Sequence, residues 1–306
     1  MGKATCPKII SLSLTILVST ILATLTTSCV SEENPGDKII VAVSILPQAG
    51  FIEAIGGDKV EVVVMVPPGS SPHTYEVTPD QRTRLSNAKM YAKVGSPIEF
   101  ELTWLDKLID INRSMEVVDC AKGIELMEMV EDEHEHEGDS EHQHEGLDPH
   151  IWLSVKNVMI MVQNICDGLV LVDAGNKSYY QANCADYLKK LADLDNDLEE
   201  DLSDVSNRNF IVFHPSFGYF ARDYGLNQIA VEQEGKEPDA DYIIRMIKEA
   251  KEFNIKVVFV SPQYNTTSAK SIAKEIGGQV VSIDPLAKDF ITNMRAIESA
   301  MKQAMQ

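Results

Sequence analysis

The chain contains seven histidines, and their spacing divides them into two groups. Three stand far apart in the sequence, at His73, His150 and His214. The other four lie in one acidic run, residues 131–145, together with six Glu and two Asp. These four are His134, His136, His142 and His144. Neutral imidazole beside carboxylate suits borderline cations such as zinc, so the pattern predicts a protein built around a transition metal.

The acidic run has no apolar side chain. Without apolar surface to bury, the segment cannot offset the conformational entropy lost on ordering, so we expect a surface loop. Its paired H-x-H spacing is typical of an accessory metal site that offers roughly two to four ligands in many geometries. For its Glu and Asp residues, a solvated charge run is the alternative.

The N-terminus predicts export. Two lysines precede an apolar stretch, residues 9–27, as in a secretion signal. Residues 25–29 resemble the lipobox of prokaryotic lipoproteins, in which cleavage leaves a lipidated cysteine, here Cys29, as the new N-terminus. Because Thr26 departs from the usual Leu, an uncleaved anchor helix stays open. Both interpretations place the globular part on the outer face of the cytoplasmic membrane, behind a polar linker at residues 29–37.

The charge balance excludes one class of partner. Removal of residues 1–28 takes away two lysines and no acid, which leaves 25 Lys and Arg against 47 Asp and Glu, or −22. Such a surface repels phosphate backbones and attracts cations, so we expect no nucleic acid partner. The remaining length and the 44% apolar composition are sufficient for two domains with real cores.

Short apolar strands alternate with helical patterns in both halves of the chain. The predicted strands are 39–45, 60–66, 90–94, 116–120, 210–213, 228–231, 257–260 and 280–283. The predicted helices are 49–55, 79–87, 99–109, one around Tyr219, 243–253, 268–276 and 290–305. This alternation implies parallel sheets covered on both faces. We therefore predict an α/β fold of two lobes, each with a mainly parallel four-stranded sheet flanked by helices.

Two helical patterns separate these halves, residues 155–172 and 176–205. The second would be about 45 Å long and would form a rigid connector that resists wide opening of the lobes. The predicted domains are an N-terminal lobe at 38–172, a connecting helix at 173–205 and a C-terminal lobe at 206–306.

Three cysteines follow Cys29, namely Cys120, Cys166 and Cys184. Outside the cell a disulfide between Cys166 and Cys184 is possible across two antiparallel helices, and simple burial of free thiols is the alternative. No C-x-x-C motif occurs, so a thiolate zinc site is not supported.

The three isolated histidines fall where open α/β sheets place ligands, at the carboxyl ends of strands. His73 follows the second predicted strand and His214 ends the fifth, whereas His150 follows Asp148 and Pro149. Asp284, after the eighth predicted strand, offers a carboxylate. Two ligands from each lobe would make a four-coordinate site of three nitrogens and one oxygen.

At these residues the chain resembles the metal-binding lipoproteins that serve ABC importers of zinc and manganese, the cluster A-I solute-binding proteins. The motifs are PPGSSPHTYE at 67–76 with Thr78–Pro79, DPHIWLS at 148–154, HPSFGYF at 214–220 with Tyr224–Gly225–Leu226, Glu237–Pro238, and Asp284–Pro285–Leu286. The resemblance covers nearly the whole mature chain. It implies metal ligands at His73, His150, His214 and Asp284.

The resemblance favours the zinc branch of that family, because the manganese branch commonly has Glu where His214 stands and the histidine-rich loop is typical of zinc members. Val155, Pro215 and Pro72 depart from the usual pattern, and Pro72 replaces an acidic residue that ligates in some zinc members. A water or a loop histidine could take the fourth position instead of Asp284, which could also cap the following turn.

The resemblance implies an extracytoplasmic, lipid-anchored monomer that captures Zn²⁺ between its lobes and delivers it to an ABC permease with its ATPase. A manganese importer component and a metal-dependent surface adhesin are the alternatives. No H-E-x-x-H motif occurs, so we do not expect a zinc hydrolase. We expect metal affinity to fall as pH drops through about 6.5, where free histidine takes up a proton.

Overall fold

The computed structural model describes residues 1–2, 38–129, 146–233 and 236–306. Nearly all of the predicted signal, the linker and Cys29 lie outside these ranges. The histidine-rich run 131–145, with His134, His136, His142 and His144, also lies outside them.

The N-terminal lobe is built on one parallel sheet. Its elements are β1 (Ile39–Val43), α1 (Leu46–Gly56), β2 (Val60–Val64), α2 (Pro79–Leu85), β3 (Met90–Lys93), α3 (Glu99–Ile111) and β4 (Glu116–Asp119). The strand order is β2-β1-β3-β4, and every pairing is parallel. All four carboxyl ends therefore point to the same edge, toward the second lobe.

Two long helices follow, α4 (Val155–Val172) and α5 (Lys177–Ser203). The 27 residues of α5 span about 40 Å, somewhat less than predicted. Among the described helices, α4 is long and apolar enough to cross a membrane, but half of it is buried inside the protein. It packs against α5 and α1, which identifies it as a core helix.

The C-terminal lobe repeats the first. Its elements are β5 (Asn209–Val212), α6 (Gly218–Tyr224), β6 (Asn227–Ala230), α7 (Ala240–Glu252), β7 (Val257–Val260), α8 (Thr267–Glu275), β8 (Gln279–Ser282) and α9 (Phe290–Ala304). The order β6-β5-β7-β8 is that of the first sheet, again with parallel pairings. The predicted two-lobed α/β fold is thus confirmed.

The core runs from one lobe into the other. Alternate residues of a strand face opposite sides of its sheet, and in β1 Val41 and Val43 belong to an inner cluster whereas Ala42 belongs to an outer one. The inner cluster also contains Phe51 of α1 and Phe290 of α9, whose rings meet edge to face at 5.5 Å. A shared core holds the two lobes, and the site between them, in a defined relation.

Two helices begin three residues earlier than predicted, α7 at Ala240 and α1 at Leu46, and the start of α1 has a local cause. Pro47 looks like a helix breaker in sequence, yet proline is tolerated in the first turn, where its missing N–H would have no partner in the helix. The Gln48 side chain supports this start, because its Oε1 accepts a hydrogen bond from Ile45 N at 3.2 Å.

Candidate metal site

His73 lies in the loop that leaves the carboxyl end of β2. Ser71 Oγ accepts a hydrogen bond from His73 N at 3.3 Å, which holds this part of the loop. The ring is oriented by Glu99 at the start of α3, whose Oε2 lies 2.6 Å from His73 Nδ1. This carboxylate is half exposed, at 51% of its side-chain surface.

His150 is held by its own sequence neighbours. Asp148 Oδ1 lies 2.8 Å from both the backbone N and the ring Nδ1 of His150. Both side chains are buried, at 3% exposure each. From the C-terminal lobe, Tyr219 donates its hydroxyl to the Asp148 carbonyl at 3.0 Å. Asp148 is therefore placed to accept the ring N–H of His150 and to fix its tautomer.

His214 follows the end of β5 in the C-terminal lobe. Glu232 comes after β6, and its backbone N donates to Phe213 O at 2.9 Å, which places the two side chains next to each other. Both carboxylate oxygens of Glu232 lie 3.2 Å from His214 Nδ1. The ring of Tyr264 stacks on the other side, with centroids 4.7 Å apart.

The three imidazoles converge between the lobes. One nitrogen from each lies within 4.8 Å of the other two. Among the described residues, these three form the metal-capable cluster, a group that could hold a metal ion. His150 Nε2 and His214 Nε2 are 3.1 Å apart. Two nitrogens bound to one tetrahedral zinc at about 2.05 Å are separated by about 3.3 Å. The cluster is therefore close to the dimensions that zinc requires.

The hydrogen bonds fix which nitrogen faces the cleft. If each Nδ1–H donates to its carboxylate, each neutral ring turns a lone pair on Nε2 inward. In His150 and His214 those lone pairs point at each other across 3.1 Å, which is repulsive without a cation between them. The three carboxylates place three negative charges behind the imidazoles. With these carboxylates behind the three imidazoles, the site attracts a divalent cation more strongly than the four direct ligands predicted from sequence would alone.

Burial keeps the third ligand unprotonated. It lowers the pKa of His214 to about 4, although Glu232 opposes the shift, and the neighbouring histidines lower the pKa further. For His214, this shift moves the expected protonation-linked loss of affinity to a pH below 6.5. For Glu99, burial opposes the shift, but the hydrogen bond and charge of His73 leave its carboxyl pKa below the usual range.

Asp284 lies outside this cluster. It follows β8 as predicted, but its Oδ1 accepts hydrogen bonds from Gln263 Nε2 at 3.0 Å and from Leu286 N at 2.9 Å. The depression lined by Asp284 is next to the histidine pocket, and Gln263 contributes to both. Gln263 Oε1 is buried without a hydrogen-bond partner. The structure thus brings three of the four predicted ligands together, with Gln263 between them and Asp284.

Trp152 packs behind the site. Its side chain is 1% exposed and its ring meets that of His150 edge to face at 5.3 Å. Trp152 Nε1 donates to Pro285 O of the other lobe at 2.8 Å. The indole therefore supports His150 and links the lobes.

Glu99, Glu232, Gln263 and Tyr264 were not found from sequence. Glu232 follows a predicted strand directly, so the strand-end rule that identified His214 would have found it as well. Glu99 begins a helix and has no comparable signal. The thiols of Cys120, Cys166 and Cys184 are buried and unbonded in this structure, and none belongs to the metal-capable cluster of the described residues.

Comparison with known proteins assigns the family. Residues 41–304 match the model of the family described as ZnuA, zinc-uptake complex component A, periplasmic. The chain is 32% identical over 259 residues to the high-affinity zinc uptake system protein ZnuA of Bacillus subtilis (strain 168). That alignment covers 84% of this chain and 81% of the relative.

Solved structures show the same fold. A crystal structure of ZnuA is 41% identical with a TM-score of 0.81, and covers 88% of this chain and 100% of its own. A 138–173 deletion mutant of ZnuA with zinc bound gives 41% and 0.80, with coverage of 88% and 99%. The laminin-binding protein Lmb of Streptococcus agalactiae shares the fold at 21% identity, with a TM-score of 0.77 and coverage of 88% and 100%. The chain therefore belongs to the ZnuA family of extracytoplasmic zinc-uptake components.

Proposed function

We propose that the protein captures Zn²⁺ through Nε2 of His73, His150 and His214 and delivers it to an ABC permease driven by its ATPase. One observation carries the ligand assignment: each of these rings has its Nδ1 beside a carboxylate, so that the three Nε2 atoms face one another. Alanine at any one of the three should weaken zinc binding strongly. Undiminished zinc affinity in the His214→Ala variant would overturn the assignment.

We propose zinc as the cargo in preference to manganese. Imidazole nitrogen suits zinc, whereas Mn²⁺ prefers carboxylate and water oxygen. The family and the Bacillus subtilis relative are also named for zinc uptake. Competition calorimetry with both metals tests this preference, and displacement of bound zinc by an equal concentration of manganese would contradict it.

The fourth ligand in this proposal is Asp284 or a water. Ligation by Asp284 requires its carboxylate to exchange the Gln263 amide for the metal, whereas a water ligand requires no such exchange. The variant Asp284→Asn removes the charge and keeps the shape. A large loss of zinc affinity would favour direct ligation, and a small loss would favour water. A histidine of the 131–145 run is the third candidate for the fourth ligand, and deletion of the whole run tests this candidate.

We propose that the run 131–145 collects zinc and passes it to the cleft. The residues that flank the run are paired with each other, because Met129 N donates to Gly146 O at 2.5 Å and Asp148 N donates to Met127 O at 2.9 Å. From Gly146 the chain leads through Asp148 directly to His150. Zinc uptake that is unchanged by deletion of 131–145 under zinc scarcity would refute a collecting role.

We propose further that cleavage before Cys29 and lipidation tether a monomer to the outer face of the cytoplasmic membrane, with domains at 38–172, 173–205 and 206–306. The extracytoplasmic character of the family supports this location. A Cys29→Ser variant should appear in the soluble extracellular or periplasmic fraction. Its continued retention in the membrane would support the uncleaved anchor helix.

Two other functions are less well supported. The Lmb structure is described as that of a bifunctional protein with adhesin and metal transporting activity, but at 21% identity the likeness concerns the fold alone. A zinc hydrolase is contradicted by membership in a family of uptake components. Binding of the zinc-loaded protein to immobilised laminin would revive the adhesin alternative.

A further inference from the structure

We propose that Cys166 and Cys184 form a disulfide bond that joins α4 to α5, independently of metal binding. The two helices pack against each other and are connected by the tight turn Ala174–Asn176, so they run antiparallel. Cys166 lies nine residues before Gly175 and Cys184 lies nine residues after it. Equal spacing from the turn places the two residues at the same level of the helix pair.

The side chains meet inside the core. Cys166 is 2% exposed and Cys184 3%, and both belong to the inner apolar cluster. Cys166 Sγ lies 3.8 Å from the carbonyl oxygen of Tyr180, which is one helical turn before Cys184. The two cysteines influence each other's ionisation: Cys184 lowers the pKa of Cys166, and Cys166 together with burial raises the pKa of Cys184. The contact of Cys166 with α5 and the shared cluster place both side chains on the facing sides of the helix pair.

The oxidant in this proposal is a small-molecule disulfide, such as oxidised glutathione. The Cys166 thiolate attacks one sulfur of the oxidant, and the other sulfur leaves as a thiol. Cys184 then gives up its proton and attacks the mixed disulfide, which releases the second small thiol. In total the two cysteines lose two protons and two electrons, and the S–S bond of the oxidant is reduced. Because both thiols are buried when folded, the exchange takes place during folding or local opening.

The bond would stabilise the helix pair that leads from the site. It closes a loop of 19 residues, Cys166 to Cys184 inclusive, and restricts the unfolded chain. We expect reduction to lower the Tm of the metal-free protein by on the order of 5 °C. Cys120 gives a matched control, since it is equally buried and contacts Gln48 Nε2 at 3.6 Å.

Peptide mapping tests the proposal directly. The full chain is exported into an oxidising compartment and denatured directly in N-ethylmaleimide, so that every free thiol is exposed and blocked, and the protein is then digested with trypsin. The expected product is peptide 157–177 linked to peptide 178–189, two hydrogens lighter than the separate peptides, with Cys120 blocked. Recovery of both peptides as blocked thiols would overturn the proposal.

A thermal measurement gives an independent readout. Reductant should lower the Tm of wild type and of Cys120→Ser, and should leave Cys166→Ser unchanged. An equal response to reductant in Cys120→Ser and Cys166→Ser would also refute a bond at this place, whatever the absolute stability of the two variants.

Discussion

Replacing the carboxylates behind the histidines tests whether burial sets their contribution to zinc affinity. Asp148→Asn and Glu99→Gln each remove one negative charge while keeping an oxygen that can accept the Nδ1 hydrogen bond. The two sites are matched in their bond to a ligand, at 2.8 Å for Asp148 and 2.6 Å for Glu99. They differ in exposure, at 3% and 51% of the side chain.

The difference in exposure predicts different losses. Adding the imidazole and the zinc bond to the hydrogen bond puts each carboxylate about 7 Å from the metal. At that distance a carboxylate attracts Zn²⁺ by about 5 kcal/mol at an effective dielectric near 20, but by about 1 kcal/mol in water. Relaxation reduces the first value, and mutations of such supporting residues typically cost about 10- to 100-fold in affinity. We expect that loss for Asp148→Asn and about fivefold or less for Glu99→Gln.

The assay is competition with a fluorescent zinc chelator at pH 7.5, at low and high salt. Salt should reduce the loss in Glu99→Gln and leave that in Asp148→Asn largely unchanged, because exposed charges are screened. Thermal unfolding of the metal-free variants shows whether the fold is intact. Equal losses in the two variants, or a larger loss in Glu99→Gln, would refute the reasoning from burial.

Three further predictions concern stability. Between pH 6.5 and 4 the unfolded chain protonates His214 but the folded chain does not, so the free energy of unfolding of the metal-free protein should fall by up to about 3 kcal/mol as the pH drops. Urea titrations at a series of pH values measure this dependence, and His214→Gln should lose it. An added Cβ at Gly50 would lie 2.1 Å from Lys288 O, so Gly50→Ala should cost about 1–3 kcal/mol, whereas Gly175→Ala, with 3.8 Å to its nearest atom, should be nearly neutral by the same titration. Trp152→Phe removes the hydrogen bond between the lobes and should cost about 1 kcal/mol with zinc still bound, and loss of zinc binding would contradict a packing role.

The fold could be predicted because its signals are local. Strand-length apolar runs between helical patterns indicated two parallel sheets, and α4 was predicted with its observed bounds, Val155–Val172. The start of α1 was missed because Pro47 has opposite effects in the first turn and in the interior of a helix. That distinction depends on the position of the helix start, which the apolar pattern alone does not give.

The site could be predicted in part. The strand-end rule and the motifs identified the three histidines, because backbone topology decides their positions. The side-chain pairings depend on tertiary packing, so Glu99 was not visible in the sequence. The placement of Asp284 against Gln263 was missed for the same reason, because Gln263, 21 positions away in sequence, donates a hydrogen bond to the Asp284 carboxylate.

The most direct test of the central claim is the coordination of zinc in protein that lacks residues 131–145, measured by X-ray absorption. We predict one zinc with three imidazole nitrogens at about 2.0–2.1 Å and one further oxygen or nitrogen ligand. The same preparation of His214→Ala should lose this spectrum. Sulfur ligands, a six-coordinate shell of oxygen, or loss of all tightly bound zinc with the deleted run would contradict the claim that the three histidines between the lobes bind the metal.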